Sequence, residues 1–132
     1  MSLELKNVEK VIGPDTHIYP TNLKLEKNTI NVLLGSTLSG KTTLMQIMAG
    51  LDKPTSGEIW FNGQNVTGTK VQNRNCSMVY QQFINYPNFT VFENIASPLK
   101  ITGVNSKEIS ERVGKVSEIL KLSSMLNKKP DE

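Results

Sequence analysis

An apolar run, Ile30-Asn31-Val32-Leu33-Leu34, leads into Gly35-Ser36-Thr37-Leu38-Ser39-Gly40-Lys41-Thr42, and Thr43-Leu44-Met45-Gln46-Ile47-Met48-Ala49-Gly50 follows. The spacing G-x-x-x-x-G-K-[ST] between a strand-like and a helix-like stretch predicts strand, phosphate-binding loop and helix, in that order. A polyphosphate is a cluster of negative oxygens, and the backbone N–H groups of such a loop and of the helix N-terminus are aimed at it. Gly35 and Gly40 let the chain wrap closely, Lys41 is the residue expected to reach the outer phosphates, and the Thr42 hydroxyl is the expected ligand of Mg²⁺. Ser36, Thr37, Leu38, Ser39 and Thr43 complete the cradle.

Around this loop the pattern is β-rich before and helical after. Leu3-Glu4-Leu5-Lys6-Asn7-Val8 and Leu23-Lys24-Leu25 alternate like half-buried strands, with Gly13-Pro14-Asp15 breaking the first. Gly50 fits the left-handed position closing the loop helix, and Pro54 follows it. Glu58 to Phe61 is a predicted strand, Asn62-Gly63 a two-residue hairpin turn, and Gln64-Asn65-Val66 its mate. Cys76 to Tyr80 reads as another strand, in which the one cysteine is expected to be a small buried residue. Gln81 to Pro87 suits neither strand nor helix. Thr90 with Glu93 has capping-box spacing ahead of a short helix that Pro98 is expected to end. Asn105 with Glu108 repeats that spacing before a longer helix, whose Ile109, Val113, Val116 and Leu120 share one face.

With 132 residues the chain is long enough for one domain with a core. Its fifteen Lys and Arg against twelve Asp and Glu give +3. No like-charge run suggests nucleic-acid binding, so none is expected. No stretch of eighteen apolar residues predicts a membrane span. A guanine-reading N-K-x-D is also missing, since Asn127-Lys128-Lys129 is followed by Pro130.

The loop, the turn Leu51 to Ile59, and the block Met78 to Ile95 together make the chain resemble the ATP-binding subunits of ABC transporters. The wording Y-P-x-x-T-V-x-E-N-I at Tyr86 to Ile95 is most similar to bacterial carbohydrate and glycerol-3-phosphate importers. The resemblance implies ATP and Mg²⁺ as ligands and assigns Gln81, in the position of the family's Q-loop glutamine, to the metal and the attacking water. It implies a homodimer or a second nucleotide-binding subunit. It also implies contact between the Phe83–Pro87 region and transmembrane permease subunits, and a cytoplasmic location at the inner face of the membrane. For Phe83, Tyr86 and Phe89, packing beneath a loop and partner contact stay equally open. Where the family stacks adenine on an early aromatic residue, alignment puts Ile12. Either Ile12 makes an apolar contact instead, or Tyr19 or His17 serves from a shifted loop; His17 otherwise reads as an exposed turn residue. Leu38 stands where the family more often has Gly, which costs if φ is positive there.

The family's Leu-Ser-Gly-Gly-Gln signature, Walker B strand, catalytic Glu and switch His do not occur in these residues. Asp131-Glu132 follows Lys128-Lys129-Pro130, which cannot be a buried strand. The expectation is therefore a chain truncated before the signature, with apolar edges exposed and poor solubility alone. Its fold class is α/β, the N-terminal part of a P-loop NTPase of the ABC type. An antiparallel β-subdomain and an incomplete parallel core sheet with the loop helix lead into the start of a helical subdomain. Residues 1–80 form the ATP-binding core, 81–91 the Q-loop and 92–132 the helical part. The expected function is that of an importer ATPase coupling hydrolysis to uptake of a sugar or glycerol-3-phosphate-like solute, the alternative being a fragment that binds nucleotide without hydrolysing it.

Overall fold

The computed structural model describes residues 2–132, which divide into two compact units, one running to Val79 and the other from Tyr80 to Glu132. The first unit is built on a four-stranded antiparallel sheet, β1 (Leu3–Ile12), β2 (Asp15–Leu25), β3 (Ser56–Phe61) and β4 (Gln64–Asn65), in the order β2-β1-β3-β4. Gly13 at φ +59 with Pro14 closes the first hairpin, and Asn62 and Gly63, at φ +50 and +77, close the β3–β4 hairpin in the left-handed geometry their sequence favours.

The inward face of β1 changes parity along its length. Leu5 and then Val8 are buried, three apart rather than two, because Asn7 at φ +49 is inserted as a bulge between the Leu5–Leu23 and Val8–Thr21 pairs. The amide thus displaced is satisfied by a side chain: Asn7 N–H donates to Asn22 Oδ1 at 2.9 Å, and Asn22 Nδ2 donates to Asn7 Oδ1 at 2.9 Å. Opposite the bulge, Gly57 at φ +86 passes so near that a Cβ would lie 2.3 Å from the Asn7 carbonyl oxygen.

Helix α1 (Lys41–Ala49) lays Leu44 and Ile47 on this sheet, where they join Leu5, Val8, Ile18 and Ile59 in one core. It ends at Gly50, φ +81, whose N–H bonds back into the last turn. Lys10 Nζ donates to Asp52 Oδ1 and to the Lys53 carbonyl, both at 2.7 Å, clasping β1 to the chain that leaves the helix.

Two expected strands are not paired among the described residues. Segments 30–34 and 76–80 carry no ladder bonds, and Ile30 and Val79 are 96% and 94% exposed. Parallel strands are built by neighbours on both sides. The four strands that do form pair antiparallel with one another, β1 with both β2 and β3, and β3 with β4, so among the described residues the parallel core sheet expected here contributes no pairing. Cys76 is consequently exposed rather than buried.

The second unit packs α2 (Val91–Ile101) against α3 (Ser106–Ile119) through Ala96, Ile109 and Val113, with Phe92, Ile95, Leu99 and Leu126 around them. The Thr90–Glu93 capping box is complete. The first-turn amides of Val91 and Phe92 donate to the carbonyls of Lys128 and Leu126, at 2.8 and 2.9 Å, so the chain's last turns cover the start of α2. Helix α2 runs through Pro98 instead of stopping there. An interior proline costs about 3 kcal/mol, and the burial of Ala96 with the packing of Ile95 and Leu99 on either side of it opposes that cost. On α3 the buried row is Ile109, Val113 and Ser117, while Val116 and Leu120 are exposed. The row that meets α2 advances by four residues, which leads from Val113 to Ser117 and away from the expected pair.

Candidate nucleotide-binding site

Residues 35–40 form the loop that β2 and α1 hold in place. Ser39 N–H donates to the Ser36 carbonyl at 3.3 Å, and Leu44 N–H to the Gly40 carbonyl at 2.9 Å opens the helix. Gly40 is the N-cap, at φ +86, with no side chain bonded to the first-turn amides and no acidic residue in that turn. A Cβ on Gly40 would meet Ile18 Cδ1 at 2.7 Å and the His17 carbonyl oxygen at 2.9 Å; one on Gly35 would meet Ser39 Oγ at 2.6 Å. The first obstacle includes backbone and cannot move, whereas the second is a rotatable hydroxyl. Leu38 holds φ +65 and is fully exposed, the strained arrangement that its side chain makes costly.

Lys41 folds over the loop. Its Nζ donates to the Gly35 carbonyl at 2.9 Å, to Ser39 Oγ at 3.2 Å and to the Ser36 carbonyl. The ammonium thereby fastens the loop's own carbonyls. Uncapped helix amides, two close-approach glycines and a local cation fit a polyphosphate. Thr42 is exposed on the first turn, with Thr43 half-buried beside it, and Ser36 and Thr37 are exposed. Among the described residues no group of three or more His, Cys, Asp or Glu could hold a metal. The Thr42 hydroxyl, a hard oxygen donor beside the loop, suits Mg²⁺ shared with phosphate oxygens.

Of the other candidates, His17 and Tyr19 on β2 line one cavity with Gly35, Ser39 and Lys41. His17 is exposed on a strand rather than in a turn. Ile12, 48% exposed at the end of β1, is not among the residues lining that cavity. Gln81 is exposed at the start of the second unit, while the phosphate loop belongs to the first. In the second unit Phe83 is wholly exposed, and the rings of Tyr86 and Phe89 meet tilted at 39° with centroids 5.1 Å apart. Tyr86 lines two cavities, of about 390 Å³ and 370 Å³, the first with Ile84 and Ile95 and the second with Phe89 and Ile101.

Two positioning residues were not singled out by the sequence. Arg74 is buried against Gly50 and donates from NH2 to the Met48 carbonyl at 2.6 Å, placing a cation at the C-terminus of α1. Burial pulls its pKa below the usual guanidinium value. Asn94 accepts from Tyr86 N–H at 2.7 Å and donates to the carbonyls of Tyr86, Phe89 and Thr90, at 3.1, 3.2 and 3.0 Å. An interior Asn in a helix that follows a turn rich in carbonyls was the available signal. For Arg74 there was none, since nothing in an Arg flanked by Asn announces burial.

A family model described as ABC transporter matches residues 18–132. The chain is 36% identical over 130 residues to a sulfate/thiosulfate import ATP-binding protein of Mesostigma viride, covering 98% of this chain and 37% of that protein. It is likewise 36% identical over 136 residues to a trehalose/maltose import ATP-binding protein of Thermococcus litoralis, with the same two shares covered. A solved dimeric ATP-binding cassette in a post-hydrolysis state, bound to ADP and Pi, superposes with a TM-score of 0.85 at 27% identity, over 98% of this chain and 62% of that one. The chain therefore spans well under half the length of these two curated relatives. With a family model covering most of its residues, the chain belongs to the ABC transporter family.

Proposed function

We propose that this chain supplies the ATP-binding part of an importer, binding MgATP through Gly35 to Thr43, with Lys41 against the outer phosphates and Thr42 on the metal. The observation that carries the reading is the loop itself: close-approach glycines, uncapped amides at the start of α1, and Lys41 folded across them. When bound, the nucleotide brings its phosphoanhydride and the metal its charge; the chain's residues bind, orient and screen. Gln81 has an amide that both donates and accepts, which suits a residue linking a metal-bound water to a loop. In the whole protein we assign hydrolysis to two such subunits acting together, at the inner face of a membrane. The apolar surface of Phe83, Ile84, Tyr86 and Phe89 is assigned to the permease subunits. No helix of the described residues is long and apolar enough to cross a membrane.

For the solute we propose a carbohydrate or glycerol-3-phosphate-like compound, supported by the Tyr86 to Ile95 wording and by likeness to a maltose importer's subunit. The equal identity to a sulfate importer's subunit means this part of the sequence discriminates weakly between solutes. Titration with MgATP tests the binding: wild type binds, and Lys41→Ala weakens binding by an order of magnitude or more. Equal affinity in the two would refute the assignment. By itself the chain is expected to bind without turnover, because these residues hold no Walker B carboxylate pair to place a water. Phosphate release that disappears in Lys41→Ala would overturn that second reading.

A further inference from the structure

Arg74 is 4% exposed, and no ion pair among the described residues includes it. Its guanidinium makes one hydrogen bond among these residues, from Nη2 to the Met48 carbonyl at 2.6 Å, and its Nε has no partner there. A buried cation without a carboxylate costs stability, because one neutral carbonyl does not replace the water it loses. Burial accordingly lowers its pKa. An apolar side chain could fill the same space without that cost. Stability therefore does not account for the charge.

What the charge meets is the end of α1. Met48 lies in the last turn of that helix, and a Cβ on Gly50, its C-cap, would stand 2.9 Å from Nη1 of Arg74. That turn has no basic residue of its own, so its cation comes from a residue 26 positions further on. The first turn, beside the phosphate loop, has no acidic residue and no side-chain cap. A helix carries partial positive charge at its first turn and partial negative charge at its last. Arg74 offsets the negative end and leaves the positive end to face a ligand. Nine residues separate the two ends by about 13 Å, a distance over which a buried charge is still felt.

We infer that Arg74 is a positioning residue for the nucleotide, holding the far end of α1 and lending it a buried charge that favours polyphosphate at the near end. This rests on the proposed MgATP binding. A charge acting through the helix weakens ligands in proportion to their own charge when it is removed. A packing role does not discriminate in that way.

The test is calorimetric titration of wild type, Arg74→Met and Arg74→Lys with MgATP and with MgADP, beside a thermal melt of each. Arg74→Met is expected to melt no more than a few degrees below wild type. It is expected to bind MgATP about fivefold and MgADP about twofold more weakly, since MgADP carries about half the net charge. Arg74→Lys keeps the charge and is expected to bind both ligands within about twofold of wild type. Unchanged MgATP affinity in Arg74→Met, equal weakening of the two ligands, or an Arg74→Lys as weak as Arg74→Met would each overturn the inference. So would an Arg74→Met chain that melts far lower or without a cooperative transition, because the fold itself would then need the charge. The MgATP assignment fails separately, if wild type and Lys41→Ala bind alike.

Discussion

Leu38 is the most strained residue of the phosphate loop, with a branched side chain at φ +65 and no packing to offset it. An L-residue in that region costs about 1–2 kcal/mol, and glycine there returns part of the gain by loosening the unfolded chain. Leu38→Gly is accordingly expected to stabilise the first unit by about 1 kcal/mol, read as a higher thermal midpoint; an unchanged or lower midpoint would show that Leu38 makes a contact the loop needs. Gly40 is the opposite case, since its left-handed φ and the His17 carbonyl together leave no room for a side chain. Lys41 combines both concerns. Its bonds to the loop carbonyls make Lys41→Ala a loss of loop order as well as of phosphate affinity, which is why the titration belongs beside a melt of the same variant.

At the scale of elements, the helices of the second unit owe their starts to side-chain caps. Asn105 accepts from Glu108 N–H at 2.9 Å, and Asn105→Ala is expected to cost about 1 kcal/mol in thermal or denaturant unfolding. Glu108 does not reach back to the cap but pairs with Arg112 one turn on. At α2 the reciprocal bond is made, and the Thr90 amide, followed by the Thr90 hydroxyl, holds the Glu93 carboxyl below its ordinary pKa. Asp52 is lowered first by its bond from Lys10, with burial opposing. Both are carboxylates depressed by folding, so their contribution is present above the unfolded values near 4 and is lost as pH falls through the lower folded ones. Thermal midpoints are expected to be level at pH 5 to 7 and to fall below about pH 4. A Thr90→Val variant should lose less over that range; a midpoint that rises on acidification would contradict both assignments.

Across the whole molecule, order is unevenly distributed. Each unit has its own core, and the exposed stretches 30–34 and 76–85 have no ladder to hold them. Limited chymotrypsin digestion is expected to cut at Tyr80 and Phe83 well before Phe61 or Phe92, which are partly buried in a strand and a helix. Earlier cleavage at Phe61 would show that the sheet, and not the connecting segment, opens first. The phosphate loop, its helix, the Asn62-Gly63 hairpin and both helix caps were legible because each rests on local chemistry: left-handed glycines and asparagines, and side chains within three residues of the amides they satisfy. The bulge at Asn7, the continuation of α2 through Pro98 and the buried row ending at Ser117 were not. Each is settled by what lies across the packing interface, namely Asn22 and Gly57, the α3 face, and the reach of α2. Sequence alone determined the loop proposed to hold phosphate, because that loop is contiguous in the chain. Only the tertiary structure set β2 against that loop, with the His17 carbonyl and Ile18 at Gly40, because this approach joins residues far apart in the chain through a strand pairing that is irregular at three places.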